Sequence, residues 1–348
     1  MSFSMLASLI FVLSSSTFAS AWFRVACTTP LVSERLDPIT SPGVIGSTFV
    51  NTVHGSSGFA PNSSYNDLVA GSCTSCEVTE DKSSYYFPKL YFQDPNNGSF
   101  EDVSNGGLLI YYLNRGNLDV SNGGSGLKAF PPGLKMISGN PISRSIQQGA
   151  GTANQTELAE LAVQYEWYGF PNTTCEAGLL STVYFPSCWD GVNLDSPDHT
   201  SHVVFLSKLT NGDCPSTHPV GLQLLYYQIT WNVNDFADRW TAPAWPFVYS
   251  TGDPTGYSSA AYFENGWNTT AQQNAITYCN NPNDATGSGD TAACPYLTVT
   301  SSATAESCKI DAVVDEPVDG VLSQLPGCNP IQPGPQNATL YSTSNCPV

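Results

Sequence analysis

The eleven cysteines of this 348-residue chain constrain its fold more than any other sequence feature. All of them lie beyond residue 26, and such a number is typical of proteins that fold in an oxidising compartment, where cysteines pair as disulfides. Because eleven is odd, one thiol is expected to stay free or to pair with another chain. Cys73 and Cys76 form a Cys-x-x-Cys pair that could bind zinc or act in redox chemistry. With four histidines and no second such pair, structural disulfides are favoured.

The N-terminal residues 1–21 predict a signal peptide. Residues 5–13 are apolar except for Ser8, and the small residues at 19–21 suit cleavage, so we expect a mature chain that begins at Trp22. A run this short cannot cross a bilayer, which needs about 20 apolar residues. We therefore expect a secreted protein, extracellular or in the cell wall, without membrane attachment. The predicted N-glycosylation sites fit this location: Asn62, Asn97, Asn154, Asn172, Asn268 and Asn337.

Short apolar runs punctuated by Gly, Pro, Asn and Asp dominate the rest of the sequence and predict β-strands. The runs lie at 84–87, 89–92, 108–113, 180–185, 203–206, 222–231 and 247–250. Only 157–165 and 271–278 have a helical pattern, and 29 glycines and 25 prolines disfavour long helices. We predict a mainly β protein with a β-sandwich or jelly-roll-like core over 22–279 and long loops. Residues 280–348 are rich in Cys, Pro and Gly. This composition predicts a tail that disulfides staple to that core.

The charge balance excludes one class of partner. The chain has 11 Lys and Arg against 29 Asp and Glu, so its net charge of -18 would repel a nucleic-acid backbone. It also lacks the G-x-S-x-G, P-loop, G-x-G-x-x-G and H-E-x-x-H motifs. We expect a monomer that does not bind nucleic acid.

Two carboxylates and two histidines lie within eight residues, at Asp195, Asp198, His199 and His202. Three interpretations stay open. The histidines could bind a metal, although their spacing suits a helix and Pro197 predicts a turn. One histidine could be a general base oriented by an aspartate. The segment could also be a loop held together by hydrogen bonds from its own side chains.

Glycoside hydrolysis would need two carboxylates on either side of a cleft. The candidates are Asp190, Asp195, Asp198, Asp253 and Glu264. Asp253 lies in a Gly-Asp-Pro-Thr-Gly segment and is more typical of a turn. Trp189, Trp231 and Trp267 could stack on sugar rings, although core packing is the commoner role of a tryptophan.

Several short motifs follow one another in a distinctive order. They are RLDPI at 35–39, DKS at 81–83, FPSCWDG at 185–191, LDS at 194–196, the histidines 199 and 202, GDCP at 212–215, and GDPTGY at 252–257. Together they resemble a large family of secreted fungal proteins, the domain of unknown function DUF1996, from residue 22 to 330. Some members of that family carry WSC carbohydrate-binding modules. The chain departs from the family pattern at 48–51, Ala260 and Tyr262, where the family has histidines and an aspartate, which gives weight to binding or altered specificity.

The resemblance implies which residues line a site, and it leads to a hypothesis for their roles. His199 or His202 is the acid–base group, Asp195 its orienting partner, Asp190 a second carboxylate, and Lys82 an electrostatic stabiliser, with His54 nearby. Substrate-binding residues would be Trp189, Trp267, Tyr257 and Asp253. The partner would be a polysaccharide, and the function would be hydrolysis or lyase cleavage of this cell-wall glycan, with no cofactor. The alternatives are a non-catalytic glycan-binding or wall-associated protein and a divalent-metal site of His54 with His199 and His202.

Overall fold

The fold is described by a computed structural model over residues 23–146, 154–164, 169–281, 285–342 and 344–347. The predicted signal peptide and Trp22 lie outside these ranges. Within them, no helix combines the length and apolar character needed to cross a membrane.

Strands make up most of the regular structure in these ranges, and four short α-helices and four 3-10 turns accompany them. The strands are β1 (Phe23–Cys27), β2 (Val32–Glu34), β3 (Asn51–Gly55), β4 (Ser84–Pro88), β5 (Leu90–Gln93), β6 (Phe100–Asp102), β7 (Asn105–Leu113), β8 (Lys135–Gly139), β9 (Leu179–Tyr184), β10 (Cys188–Trp189), β11 (Val203–Val204), β12 (Val220–Gly221), β13 (Leu224–Trp231), β14 (Phe247–Tyr249), β15 (Ala260–Glu264) and β16 (Val321–Leu322). The helices are α1 (Tyr65–Ala70), α2 (Gln155–Gln164), α3 (Thr269–Tyr278) and α4 (Ser302–Glu306). Every predicted strand run and both predicted helices overlap an element of this set.

Two antiparallel sheets share the main core, and together they form the sandwich. Their strand orders are β1-β7-β13-β9 and β2-β3-β4-β15-β8. Side chains alternate along each strand, so Leu108, Ile110 and Tyr112 of β7 face inward against Tyr85 and Phe263 of the second sheet. The prediction of a mainly β, sandwich-like fold is therefore confirmed.

A second core covers the outer face of the five-stranded sheet. Tyr86 and Tyr262 stack there with ring centroids 4.8 Å apart, and Cys308 and Val314 from the C-terminal residues pack into the same cluster. Strand β16 also joins β6 at the edge of a third sheet, whose order is β14-β5-β6-β16. The tail thus contributes both a strand and core side chains. The domain boundary at residue 279 stays a prediction.

The buried Arg144 fixes another part of the tail. Its guanidinium donates to the carbonyl oxygens of Gln332 (2.9 Å) and Thr251 (2.7 Å), and it lies 3.8 Å from the Asp253 carboxylate. Since a buried cation without partners would be costly, these contacts tie the tail to the core.

Five disulfides use ten of the eleven cysteines and leave Cys175 free, as the odd count predicts. The pairs are Cys27–Cys76, Cys73–Cys308, Cys188–Cys214, Cys279–Cys294 and Cys328–Cys346. The two cysteines of the Cys-x-x-Cys pair bond to different partners, so they are structural. Three of the five bonds involve the C-terminal residues, which confirms the disulfide-stapled tail.

Candidate functional site

A small three-stranded sheet of order β11-β10-β12 supports the segment that contains the two predicted histidines. Cys188 pairs in register with Val204 on one side and Gly221 on the other, and a disulfide joins it to Cys214. Residues 189–202 leave and re-enter this sheet, and we call them the His loop. Its two ends are therefore fixed by backbone pairing and by a covalent bond.

Asp190 folds the first part of the His loop. One carboxylate oxygen accepts from the backbone N–H groups of Val192 (2.8 Å) and Asn193 (2.9 Å), and the other accepts from the Asn193 side chain (2.7 Å). Burial raises the pKa of Asp190, but these bonds and the nearby His218 outweigh it, and the net shift of the pKa is downward. Both oxygens of this predicted second carboxylate are thus engaged in shaping the loop.

Asp195 and His199 form the most exposed acid–base pair of the loop. Nδ1 of His199 lies 2.9 and 3.0 Å from the two carboxylate oxygens of Asp195, and the side chains are 26% and 33% exposed. Nε2 of His199 makes no hydrogen bond to any described residue. A carboxylate that holds Nδ1–H leaves Nε2 as the nitrogen that can exchange a proton, which is the arrangement of a general base.

His199 also has an unusual backbone. Its φ is +56°, and no other non-glycine residue in the described part of the chain has a positive φ. The left-handed conformation costs a residue with a Cβ about 1–2 kcal/mol. Two hydrogen bonds hold the turn. The His199 N–H donates to the Ser196 carbonyl oxygen (2.8 Å), and the Ser196 N–H donates to the Asp195 carboxylate (2.8 Å). Strain maintained by its surroundings is a feature of functional positions.

His202, by contrast, is buried and anchors the loop to β8. Its Nε2 lies 2.6 Å from the Lys135 carbonyl oxygen and its Nδ1 lies 2.9 Å from the Ser196 hydroxyl. The Lys135 N–H also donates to the Leu194 carbonyl oxygen (2.9 Å). Because both ring nitrogens of His202 are engaged, His199 is the histidine whose geometry fits acid–base chemistry.

His218 is a further histidine beside the loop that the sequence did not connect to it. Its Nε2 lies 3.0 Å from the Ser201 carbonyl oxygen, and its charge contributes to the low pKa of Asp190. The Cys188–Cys214 disulfide brings its segment to the His loop. Knowledge of that pairing would have predicted the contact.

The structure places His54 away from this site. It is fully buried in β3 and its ring lies against Phe87, with centroids 5.8 Å apart. Burial lowers the pKa of His54 to about 3, against the raising effects of Asn105 and the Thr29 backbone. Strand β3 is separated from β8, where the His loop is anchored, by three strand spacings of about 4.8 Å each. His54 therefore faces the core and does not converge on the loop.

Lys82 and the metal hypothesis require a similar correction. The Lys82 ammonium donates to the Gly71 carbonyl oxygen (3.2 Å), and burial lowers its pKa. Within the described ranges, no hydrogen bond or ion pair joins Lys82 to the His loop. Nor does any cluster of three or more His, Cys, Asp or Glu residues there have the arrangement of a metal site. The expected convergence of His54 with His199 and His202 is not found.

Of the four predicted substrate-binding residues, two are part of the interior. Trp267 is fully buried, and its indole N–H donates to the Tyr112 hydroxyl (2.8 Å). Asp253 is also buried and accepts from the Ser258 N–H (2.7 Å) within its own turn. Neither side chain can stack on or bind a sugar at the surface.

The other two predicted residues are accessible but lie apart. Trp189 is partly exposed and donates to the Asn193 carbonyl oxygen (2.6 Å) within the His loop. Tyr257 lines a separate cavity next to α2.

Two buried carboxyl groups have strongly raised pKa values. Burial raises the pKa of Glu264 to about 7, although the Lys135 ammonium, 3.7 Å away, opposes the shift. Burial likewise raises the pKa of Asp81 to about 6, against hydrogen bonds from Tyr85 and Ser83. Both side chains are 0% exposed, so they are interior groups without access to a substrate.

The molecule is thus a disulfide-bonded β-sandwich that presents an Asp–His pair on a small accessory sheet. A family model described as a domain of unknown function (DUF1996) matches residues 37–267, well over half of the chain. The chain therefore belongs to the DUF1996 family, in agreement with the resemblance of its motifs. No curated protein and no solved structure matches it.

Proposed function

We propose that this is a secreted, polysaccharide-active protein in which His199 transfers protons and Asp195 orients its imidazole. The observation that carries the proposal is the Asp195–His199 pair, accessible to solvent and held in a left-handed turn. Asp195 would stabilise the imidazolium that forms when Nε2 takes a proton from water or a sugar hydroxyl. A positioned general base of this kind contributes about 10²–10⁴-fold to a reaction rate.

The charges around the pair favour a neutral glycan over a uronate polymer. Asp190, Asp195 and Asp198 lie in one short loop, and hydrogen bonds, above all from the Ser201 N–H, lower the pKa of Asp198. These carboxylates would repel the carboxylate that a polysaccharide lyase needs in its substrate. The charges therefore support hydrolysis of a neutral glycan over lyase cleavage of a uronate polymer.

Exposed apolar side chains next to the pair suit the flat face of a sugar ring. Val192 is 77% exposed and Leu194 is 41% exposed, and the partly exposed Trp189 lies at the start of the same loop. Contact between a sugar ring and such side chains would remove apolar surface from water.

A non-catalytic glycan-binding role is the second candidate, and one observation favours it. Glycosidases of the common kind use two carboxyl groups across the scissile bond. In the His loop, Asp190 and Asp198 accept several hydrogen bonds that shape the backbone. Neither is free to serve as a second catalytic carboxyl without rearrangement of the loop.

Secretion to the cell wall or medium is part of the proposal. The five disulfides fit an oxidising compartment, and the predicted signal peptide and glycosylation sites agree with export.

The test is to incubate the purified protein with a panel of neutral glucans, mannans and chitin, and with pectin as the anionic comparator. Release of reducing ends and retention of protein on the polymer are both measured. We expect release from a neutral polymer and a loss of at least about 100-fold in His199→Ala. The neighbouring exposed residue gives the control Thr200→Ala, which should retain activity.

Retention without release on every polymer would replace the catalytic proposal by the binding one. Release from pectin alone would contradict the argument from charge. Equal activity of His199→Ala and Thr200→Ala would exclude His199 as the base.

A further inference from the structure

A cavity of about 260 Å³ lies where α2, the end of β8 and the C-terminal tail meet. It is distinct from the His loop, because β8 separates the two: the loop is anchored at Lys135 and the cavity opens at Gly139. The four residue steps between these positions span about 14 Å at ~3.4 Å per residue.

The lining combines one apolar side with several neutral polar groups. Tyr257 and Val163 supply the apolar surface, and Asn140, Ser143 and Thr156 supply amide and hydroxyl groups. The Asn140 side-chain oxygen is used by the Ile142 N–H (3.1 Å), but its NH₂ group has no hydrogen-bond partner among the described residues. Nor do the Ser143 and Thr156 hydroxyls have a partner in those ranges. The wall therefore offers donors and acceptors that a ligand can use.

The charges at the cavity exclude an anionic ligand. No lysine or arginine side chain is among the described residues that line it, and Glu160 is its acidic member. The nearby Arg144 directs its guanidinium to the carbonyl oxygens of Gln332 and Thr251 behind the wall. A phosphate or carboxylate would therefore be buried there without a counter-ion.

The tail makes this wall rigid. The Ser145 hydroxyl donates to the Pro335 carbonyl oxygen (2.7 Å), and the Ala338 N–H donates to the Ile142 carbonyl oxygen (2.7 Å). Asn337, between these two tail contacts, lines the cavity itself. A site held in this way is formed before a ligand arrives, which reduces the entropic cost of binding.

We infer that this cavity binds a neutral hexose unit, with the sugar's C–H face on Tyr257 and its hydroxyls on Asn140, Ser143 and Thr156. Its volume lies just below the roughly 300–1,000 Å³ of sites for drug-sized ligands, which suits a single sugar ring. The inference extends the proposed function, since it shares the neutral-glycan class, but it needs no catalysis at His199.

The experiment is a titration of the purified protein monitored by saturation-transfer NMR. Every sample carries Thr339→Ala, because this change removes the predicted sequon at Asn337 and keeps the amide that lines the cavity, whereas enzymatic removal of a glycan would turn Asn337 into an aspartate. The probes are D-glucose and D-mannose, with D-glucuronate as the charged comparator. We expect saturable binding of a neutral hexose with a Kd on the order of 1 mM, as for other small ligands with few contacts.

Tyr257→Ala should weaken this binding at least about 10-fold, because it removes the apolar contact surface. The matched control is Tyr278→Ala, which removes a tyrosine that is 63% exposed and lies outside the cavity. Ser143→Ala removes one cavity hydroxyl and lies outside every predicted sequon, and it should weaken binding roughly 5-fold even if Tyr257→Ala fails to fold.

Absence of saturable hexose binding would overturn the inference, as would glucuronate binding as tightly as glucose. Equal losses in Tyr257→Ala and Tyr278→Ala would place the ligand elsewhere. His199→Ala should leave hexose binding unchanged, so the cavity and the proposed catalytic function can fail separately.

Discussion

The five-stranded sheet favours the neutral forms of its buried ionisable side chains, whereas the His loop favours the charged forms of its aspartates. In the sheet, burial raises the pKa of Glu264 to about 7 and lowers that of His54 to about 3, so both groups are driven toward their neutral forms. In the loop, hydrogen bonds hold Asp190 and Asp198 in their ionised forms.

The comparison teaches that a strongly shifted pKa does not by itself mark a functional site. Such shifts are common at active sites because both burial and charge partners are concentrated there. Here the carboxyl groups of Asp81 and Glu264, whose pKa values are raised to about 6 and about 7, are 0% exposed, whereas the accessible acid–base pair is Asp195 and His199. Accessibility and an available ring nitrogen are the better criteria in this protein.

The largest expected effect comes from the two tryptophans predicted to bind sugar. Trp267→Ala should lower the free energy of unfolding by about 3–5 kcal/mol, because it empties a core position. Trp189→Ala should cost only about 1 kcal/mol, since a partly exposed ring and one hydrogen bond are lost. Urea unfolding of both variants measures the difference. A Trp267→Ala variant as stable as Trp189→Ala would contradict the assignment of Trp267 to the core.

The pH dependence of the free energy of unfolding distinguishes the five-stranded sheet from the His loop. The folded-state pKa of Glu264, about 7, lies above its ordinary value of 4.5, so the folded protein binds more protons between these pH values. Its contribution to stability is thus present at low pH and is lost as the pH rises through this window. Relative to the wild type, Glu264→Gln should gain about 3 kcal/mol between pH 4.5 and 7.

Asp190→Asn is the matched variant in the His loop. The folded-state pKa of Asp190 is lowered from 3.8, so its contribution is present above that value and is lost only as the pH falls below it. From pH 4.5 to 7 the difference between Asp190→Asn and the wild type should change much less than that of Glu264→Gln, because His218 makes the smallest contribution to the shift of the Asp190 pKa. If the Glu264→Gln difference were equally independent of pH, burial would not control the pKa of the Glu264 carboxyl group.

The smallest expected effect concerns the left-handed turn at His199. Asn adopts this conformation readily, so His199→Asn should change the free energy of unfolding by less than about 0.5 kcal/mol. His199→Val should cost about 1–2 kcal/mol more, because its branched Cβ resists a positive φ. Thermal unfolding compares the pair, and both should lose glycan cleavage. Equal stability of the two variants would show that the turn is not held at positive φ.

The sequence predicted those parts of the fold and site whose pattern is local. Apolar runs such as 108–113 form strands because a strand in the interior of a sandwich needs apolar side chains. Asp195 and His199 are four residues apart within one turn, so their contact was predictable as well.

Strand β3 and the position of His54 were not predictable in the same way. All five residues of β3 are buried although Asn51, Thr52 and His54 are polar, so the strand has no apolar pattern. Its position depends on pairing with β2 and β4, which are distant in sequence. The same holds for the disulfide that brings His218 to the loop, since cysteine spacing does not determine pairing.

The disulfide between Cys73 and Cys308 encloses most of the polypeptide, because its ends are 235 positions apart. An extracellular protease that cuts the backbone once within that span leaves both pieces covalently joined. A single cut in an exposed connection within that span therefore releases no fragment. If the protein is secreted as proposed, this bond protects it against loss of a fragment rather than against cleavage.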